Sequence, residues 1–125
     1  MSEALRVGKR LVELCNAGES EKAVDELYSE RIVSIEGQGS DEMPARMEGL
    51  EAIRKKGEWW FANHEVHGMK TTGPFCGHRD DQFVVQFELD VTPKASGERI
   101  RMNEVGLYTV QGGKVVQEEF LYLMD

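Results

Sequence analysis

Leu5, Gly8, Leu11, Val12 and Cys15 recur at helical spacing, which predicts an amphipathic helix over residues 3–17, stopped at Gly18. Ser20 reads as the N-cap of a short second helix carrying Ala23, Val24, Leu27 and Tyr28. The β-branched run of residues 31–37 predicts a strand ended by Gly37, and residues 37–49 lack periodicity and read as a long loop. A third helix, residues 49–64, sets Ile53, Gly57, Trp60 and His64 along one line. Only strands follow. Residues 66–78 are interrupted by Gly and Pro, and residues 81–93 alternate cleanly, with Phe83, Val85, Phe87, Leu89 and Val91 on one face. Residues 98–110 and 114–123 form a closing hairpin around Gly112-Gly113.

Helices followed by a run of strands predict one α+β domain over residues 1–125, with three N-terminal helices packed on a curved, mostly antiparallel sheet that encloses a pocket. The hairpin leaves two registers open. A two-residue Gly-Gly turn, favoured because both corners need positive φ, pairs Leu107 with Glu118 and Val105 with Phe120. Asn103, Glu118, Phe120 and Tyr122 then share a face. A three-residue turn brings Glu104 onto that face instead. Both faces of the hairpin carry apolar area, so a homodimer through the sheet face is expected.

Composition narrows the function classes. Of the 125 residues, 40% are hydrophobic and 30% charged, the balance of an ordinary globular chain. A net charge of -8 without a Lys/Arg cluster argues against nucleic acid and against an anionic membrane surface. No leader and no apolar run of transmembrane length is seen, and Cys15 and Cys76 read as buried free thiols, so a cytoplasmic location is expected. His64 and His67 stand three apart, where zincin helices need four, so no metal is expected.

The candidate chemistry lies in carboxylates on apolar faces. Glu118 stands in a strand whose other inward positions are apolar, and a desolvated carboxylate there can act as a general base near neutral pH. The bland reading is a solvated or Arg101-paired rim glutamate. Glu36, at the end of the first strand, is the second catalytic candidate, with solvent exposure beside Gly37 as its bland reading. Asn103 and Tyr122 could donate to an oxyanion. Trp60 and His64, on the line of the third helix that meets the sheet, join Phe120 and Phe87 as candidate substrate-binding residues. Each is also an ordinary core or structural side chain, and His64 could pair with Glu118 if it reaches the pocket.

The order of elements, and the residues that punctuate it, resemble the SnoaL-like branch of the nuclear-transport-factor-like superfamily. The stretches LVELCNAGESEKAVDELYSERIVSIEG, EGLEAIRKKGEWWFANH and EVGLYTVQGGKVVQEEFLY carry the resemblance. It implies a cystatin-like cone with an internal pocket, often dimeric through the sheet. Ketosteroid isomerase belongs to the same superfamily. Its base carboxylate falls at Glu36, its phenol donor at Leu11, and its protonated carboxyl at Val105, or at Glu104 if the hairpin carries an insertion. The resemblance implies a cofactor-free isomerase, cyclase or hydrolase acting on a small hydrophobic molecule. The alternative is a non-catalytic small-molecule-binding or dimerisation module of the same fold.

Overall fold

A computed structural model describes residues 2–41 and 43–122. Helix α1 (Glu3–Asn16) is capped by the Ser2 hydroxyl, which accepts from the Leu5 amide at 3.1 Å. It ends where Gly18 turns to φ 76° and the Glu19 amide reaches back to the Leu14 carbonyl. Helix α2 (Ser20–Leu27) begins one residue earlier than its sequence suggests: Glu19, not Ser20, is the N-cap. Tyr28 leaves the helix and opens β1 (Tyr28–Ile35). The expected long loop contains a short strand, β2 (Arg46–Glu48), held by pairing to β1. Helix α3 (Leu50–Asn63) leads into β3 (His64–Phe75), β4 (Gln82–Pro93), β5 (Ile100–Gln111) and β6 (Lys114–Tyr122).

The six strands make one open mixed sheet in the order β2-β1-β6-β5-β4-β3. Its consecutive long strands pair antiparallel, but the first and last long strands, β1 and β6, lie side by side in parallel. All three helices cover one face. The core is built there from Leu11 and Leu14 of α1, Leu27 of α2, Ile53 of α3, and Ile32, Phe83, Val85, Tyr108 and Val115 of the sheet. Phe83 stacks on Tyr108 with ring centroids 4.9 Å apart.

The hairpin turn has the two residues expected, with Gly112 at φ 58° and Gly113 at φ 75°. The register beyond it differs. Val110 pairs with Val115, but Thr109 pairs with Gln117, so Val116 is an extra residue in β6. This bulge moves every later pair by one. Tyr108, not Leu107, lies opposite Glu118, and Glu104, not Asn103, lies opposite Tyr122. Cys76 also differs from expectation: it is exposed just beyond β3, and only Cys15 is buried.

Two helical glycines test the packing. A Cβ at Gly8 of α1 would lie 2.7 Å from the Pro74 side chain and 3.0 Å from the Phe83 ring, whereas one at Gly57 of α3 would meet nothing within 4 Å. Gly8→Ala should therefore cost about 1–3 kcal/mol despite its helix propensity, while Gly57→Ala should gain roughly 0.5–1 kcal/mol. Thermal melts of the two variants should move in opposite directions. A melt raised by Gly8→Ala would contradict the close contact of α1 with the sheet.

Candidate functional site

The strand order assembles a polar cluster inside an apolar face. One row across the sheet reads Phe83, Tyr108, Glu118 and Ser34, on β4, β5, β6 and β1. A second row reads Thr71, Phe87, Glu104 and Tyr122, on β3 to β6. Glu118 is only 3% exposed. The Tyr28 hydroxyl donates to its Oε2, and the Ser34 hydroxyl donates to its Oε1 at 2.8 Å. Lys56 of α3 donates to the same Ser34 oxygen at 2.9 Å and pairs with Glu36 Oε1 at 2.5 Å. Its ammonium also stands 4.9 Å from the centre of the Phe120 ring.

Burial sets the electrostatics. Desolvation raises the Glu118 carboxyl above the usual range, and the Lys56 charge and the bonds from Tyr28 and Ser34 only partly pull it back. Glu104, half-buried between Phe87 and Tyr122, is pushed up to about 7, first by burial and then by the Glu36 charge. Burial and the Glu118 charge raise the phenols of Tyr28 and Tyr108 well above their ordinary value. Burial disfavours the ionised forms of Glu104 and Glu118, and the Glu36 charge opposes the ionisation of both, while the Lys56 charge favours it.

The sequence candidates divide. Glu118, Glu36, Phe120 and Phe87 come together: Phe87 and Phe120 are tilted rings 6.2 Å apart, and Phe120 meets Tyr108 edge-on at 6.3 Å. Tyr122 shares the face, but its hydroxyl accepts from the Gln38 amide at 2.9 Å and its ring packs where a Gly37 Cβ would stand, so it fixes the chain leaving Glu36. Asn103 does not belong. The bulge turns it to the opposite face, where it is exposed and accepts from Gln86 at 2.9 Å. Trp60 and His64 do not join either: their rings stack on each other at 4.3 Å, and His64 Nδ1 bonds the Trp60 carbonyl at 2.7 Å. His64 opens edge strand β3, three strands away from β6, so no His64–Glu118 pair forms. Leu11 is core, 2% exposed.

Tyr28, Ser34 and Lys56 were missed. Ser34 of β1 and Glu36 just beyond it follow the buried Ile32 at the two-residue spacing of one strand face, which is a readable sign of a polar inner edge. Lys56 stands three residues after the buried Ile53, on the same helix face. Tyr28 carries no such sign, because its pattern fits the end of α2 equally well.

Two clefts among the described residues lie away from Glu118. One, of about 590 Å³, lies at the α1–α2 turn, with Cys15 and Asn16 on one side and Phe61, Val66 and Met69 on the other. A smaller one, about 170 Å³, runs between α2 and α3. Burial pushes the Cys15 thiol up to about 11, and the Glu118 charge adds to the rise. Among the described residues, no group of three or more His, Cys, Asp or Glu side chains is arranged to hold a metal ion. None of the described helices is long and apolar enough to cross a membrane.

The family model of the SnoaL-like domain matches residues 3–122. Among solved structures, a Mesorhizobium loti protein provisionally named a SnoaL-like polyketide cyclase [carbohydrate phosphatase] is 43% identical, with a TM-score of 0.87, 94% of this chain covered and 97% of that one. A Xanthomonas campestris protein of unknown function with a cystatin-like fold is 11% identical at a TM-score of 0.77, covering 99% of this chain and 92% of that one. An NTF2-like protein of unknown function from Burkholderia pseudomallei is 14% identical at a TM-score of 0.76, covering 98% and 92%. The last two show the fold alone. No curated protein matches the chain.

Glu104 gives a test by pH. Its carboxyl titrates higher folded than unfolded, so its contribution to stability is full below pH 4.5 and is lost as pH rises toward about 7. The full shift corresponds to roughly 3 kcal/mol, and water at the half-buried position screens it to about 1–2 kcal/mol. Glu104→Gln, which is neutral throughout, should gain on the wild type by several degrees in melting temperature between pH 5 and pH 8. An unchanged difference across that range would mean that Glu104 is solvated.

Proposed function

The chain belongs to the SnoaL-like domain family, and from that premise we propose that it catalyses cofactor-free proton transfer on a small apolar carbonyl compound, as an isomerase, cyclase or hydrolase. The observation that carries this reading is that the Lys56 ammonium pairs with Glu36 and reaches Glu118 through Ser34, on an apolar face that also holds Glu104. Removing a proton beside a carbonyl needs a base and a donor for the oxyanion that develops. Glu36 is the base: its side chain keeps 25% of its surface in water, while both oxygens of Glu118 are bonded inside the core. Lys56 spends one donor on Glu36 and one on Ser34, and its third meets the substrate oxygen. Glu104, protonated up to about pH 7, is the second donor. Phe87, Phe120 and Tyr122 form the apolar wall. The provisional cyclase name of the Mesorhizobium loti relative agrees with a carbonyl substrate.

The test is exchange of α-hydrogens in heavy water across a panel of small apolar ketones and diketones, followed by NMR. The wild type should accelerate exchange for at least one member, and Glu36→Gln and Glu104→Gln should each lower the rate by about 100-fold or more. Binding without exchange, unaltered by these substitutions, would instead support the non-catalytic binding module.

A second copy of the chain is proposed on the outer face of the sheet. There Val84, Val105 and Leu107 are half-buried beside Leu121, which is 48% exposed. Light scattering should read twice the chain mass, and Leu107→Glu should halve it; a monomeric wild type at micromolar concentration would remove the dimer. Free Cys15 and Cys76 suit the reducing cytoplasm, which cell fractionation checks.

A further inference from the structure

Ser34 is fully buried, at 0% exposure. Its hydroxyl offers one proton and two lone pairs. The proton goes to Glu118 Oε1 at 2.8 Å, and a lone pair accepts from Lys56 Nζ at 2.9 Å. With Tyr28 donating to Oε2, every bond in the chain runs toward Glu118. A lysine held by a part-exposed ion pair alone keeps much of its rotamer freedom. The Lys56 side chain is 20% exposed, yet it has a second anchor inside the core.

We propose that Ser34 is a positioning residue through which the buried Glu118 holds the Lys56 ammonium between Glu36 and the Phe120 ring. The inference rests on the reading that this ammonium meets the substrate oxygen, and it adds the group that aims it. The chain of bonds has a direction. If Glu118 gains a proton, Oε2 remains occupied by Tyr28, so the proton sits on Oε1 and is donated to Ser34. Ser34 then accepts from both Glu118 and Lys56, and its own proton loses its acceptor along the chain, because Lys56 carries donors only, which weakens the anchor on Lys56. The groups that face Glu118 and bear on this step are Tyr28 and Ser34 of β1, Glu36 just beyond it, Tyr108 and Glu104 of β5, Cys15 of α1 and Lys56 of α3.

The ring supplies a readout that needs no substrate. With Nζ 4.9 Å from the Phe120 ring centre, the Lys56 ε-methylene protons should be shifted upfield by the ring current, and Phe120→Leu should remove the shift. Ser34→Ala should return these protons to ordinary values at pH 8, where Ser34→Thr keeps them shifted. In the exchange assay Ser34→Ala should lower kcat by about 10- to 100-fold with KM little changed, and Ser34→Thr should restore it. Should Ser34→Ala not fold, Ser34→Cys, close in size and a weak acceptor, takes its place. An upfield shift that survives loss of the hydroxyl overturns the proposal, because Glu36 then holds Lys56 unaided. A protein that shows the Ser34-dependent shift but no exchange on any compound contradicts the functional reading and leaves the anchoring intact.

Discussion

The structure turns on one buried carboxylate. Glu118 lies on a sheet face among the buried Phe83, Tyr108, Val85 and Val115, and such a group is tolerated only when its oxygens are bonded. Those bonds come from far along the chain. Tyr28 and Ser34 reach it because β1 lies parallel to β6, and Lys56 reaches it through Ser34 because α3 packs over β1. Satisfying one carboxylate thus draws together the first strand, the third helix and the last strand.

The same requirement explains why the site lies at one end of the inner face. Toward β4 the face is closed by Phe83, Val85 and Phe87, toward β3 Asn16 bonds the backbone of the buried Thr71, and the imidazole of His64 is stacked on Trp60. Toward β6 and β1 the polar side chains accumulate: Glu118 and Ser34 deep, Glu104 half-buried, Glu36 and Lys56 at the mouth. The gradient from dry to wet orders the three carboxyls. The deepest is furthest from water and most engaged, and the outermost pairs directly with the lysine. A net charge of -8 over the chain adds a background that further favours retained protons.

Much of the fold was legible because it rests on periodicity. The helical stripe of α1, the alternation of β4 and the Gly112-Gly113 turn each state their element directly, and the family resemblance joined them into a helix-covered sheet. The inward placing of Glu118 was legible for a similar reason: a carboxylate on an apolar face stands out. What failed depended on single-residue geometry. The bulge at Val116 exchanges Asn103 for Glu104 and Leu107 for Tyr108, and nothing in the run KVVQEEF marks which residue is extra. Tyr28 was hidden because its place at the end of an amphipathic pattern suits a helix as well as a strand. Lys56 was hidden by its type, since lysines on helices usually point to water. The pair imagined between His64 and Glu118 failed on strand order, which no local pattern contains.

At the centre stand Glu104 and Glu118, two carboxyls held above their ordinary range by burial and drawn down by the Lys56 charge. Carbon-13 NMR of the glutamate side-chain carboxyls across pH 3 to 9 tests this most directly. The account predicts a Glu104 midpoint near 7, a Glu118 midpoint above the ordinary carboxylate range, and a displacement of both in Lys56→Met. Ordinary glutamate midpoints near 4.3 for Glu104 and Glu118, unmoved by loss of Lys56, would contradict it.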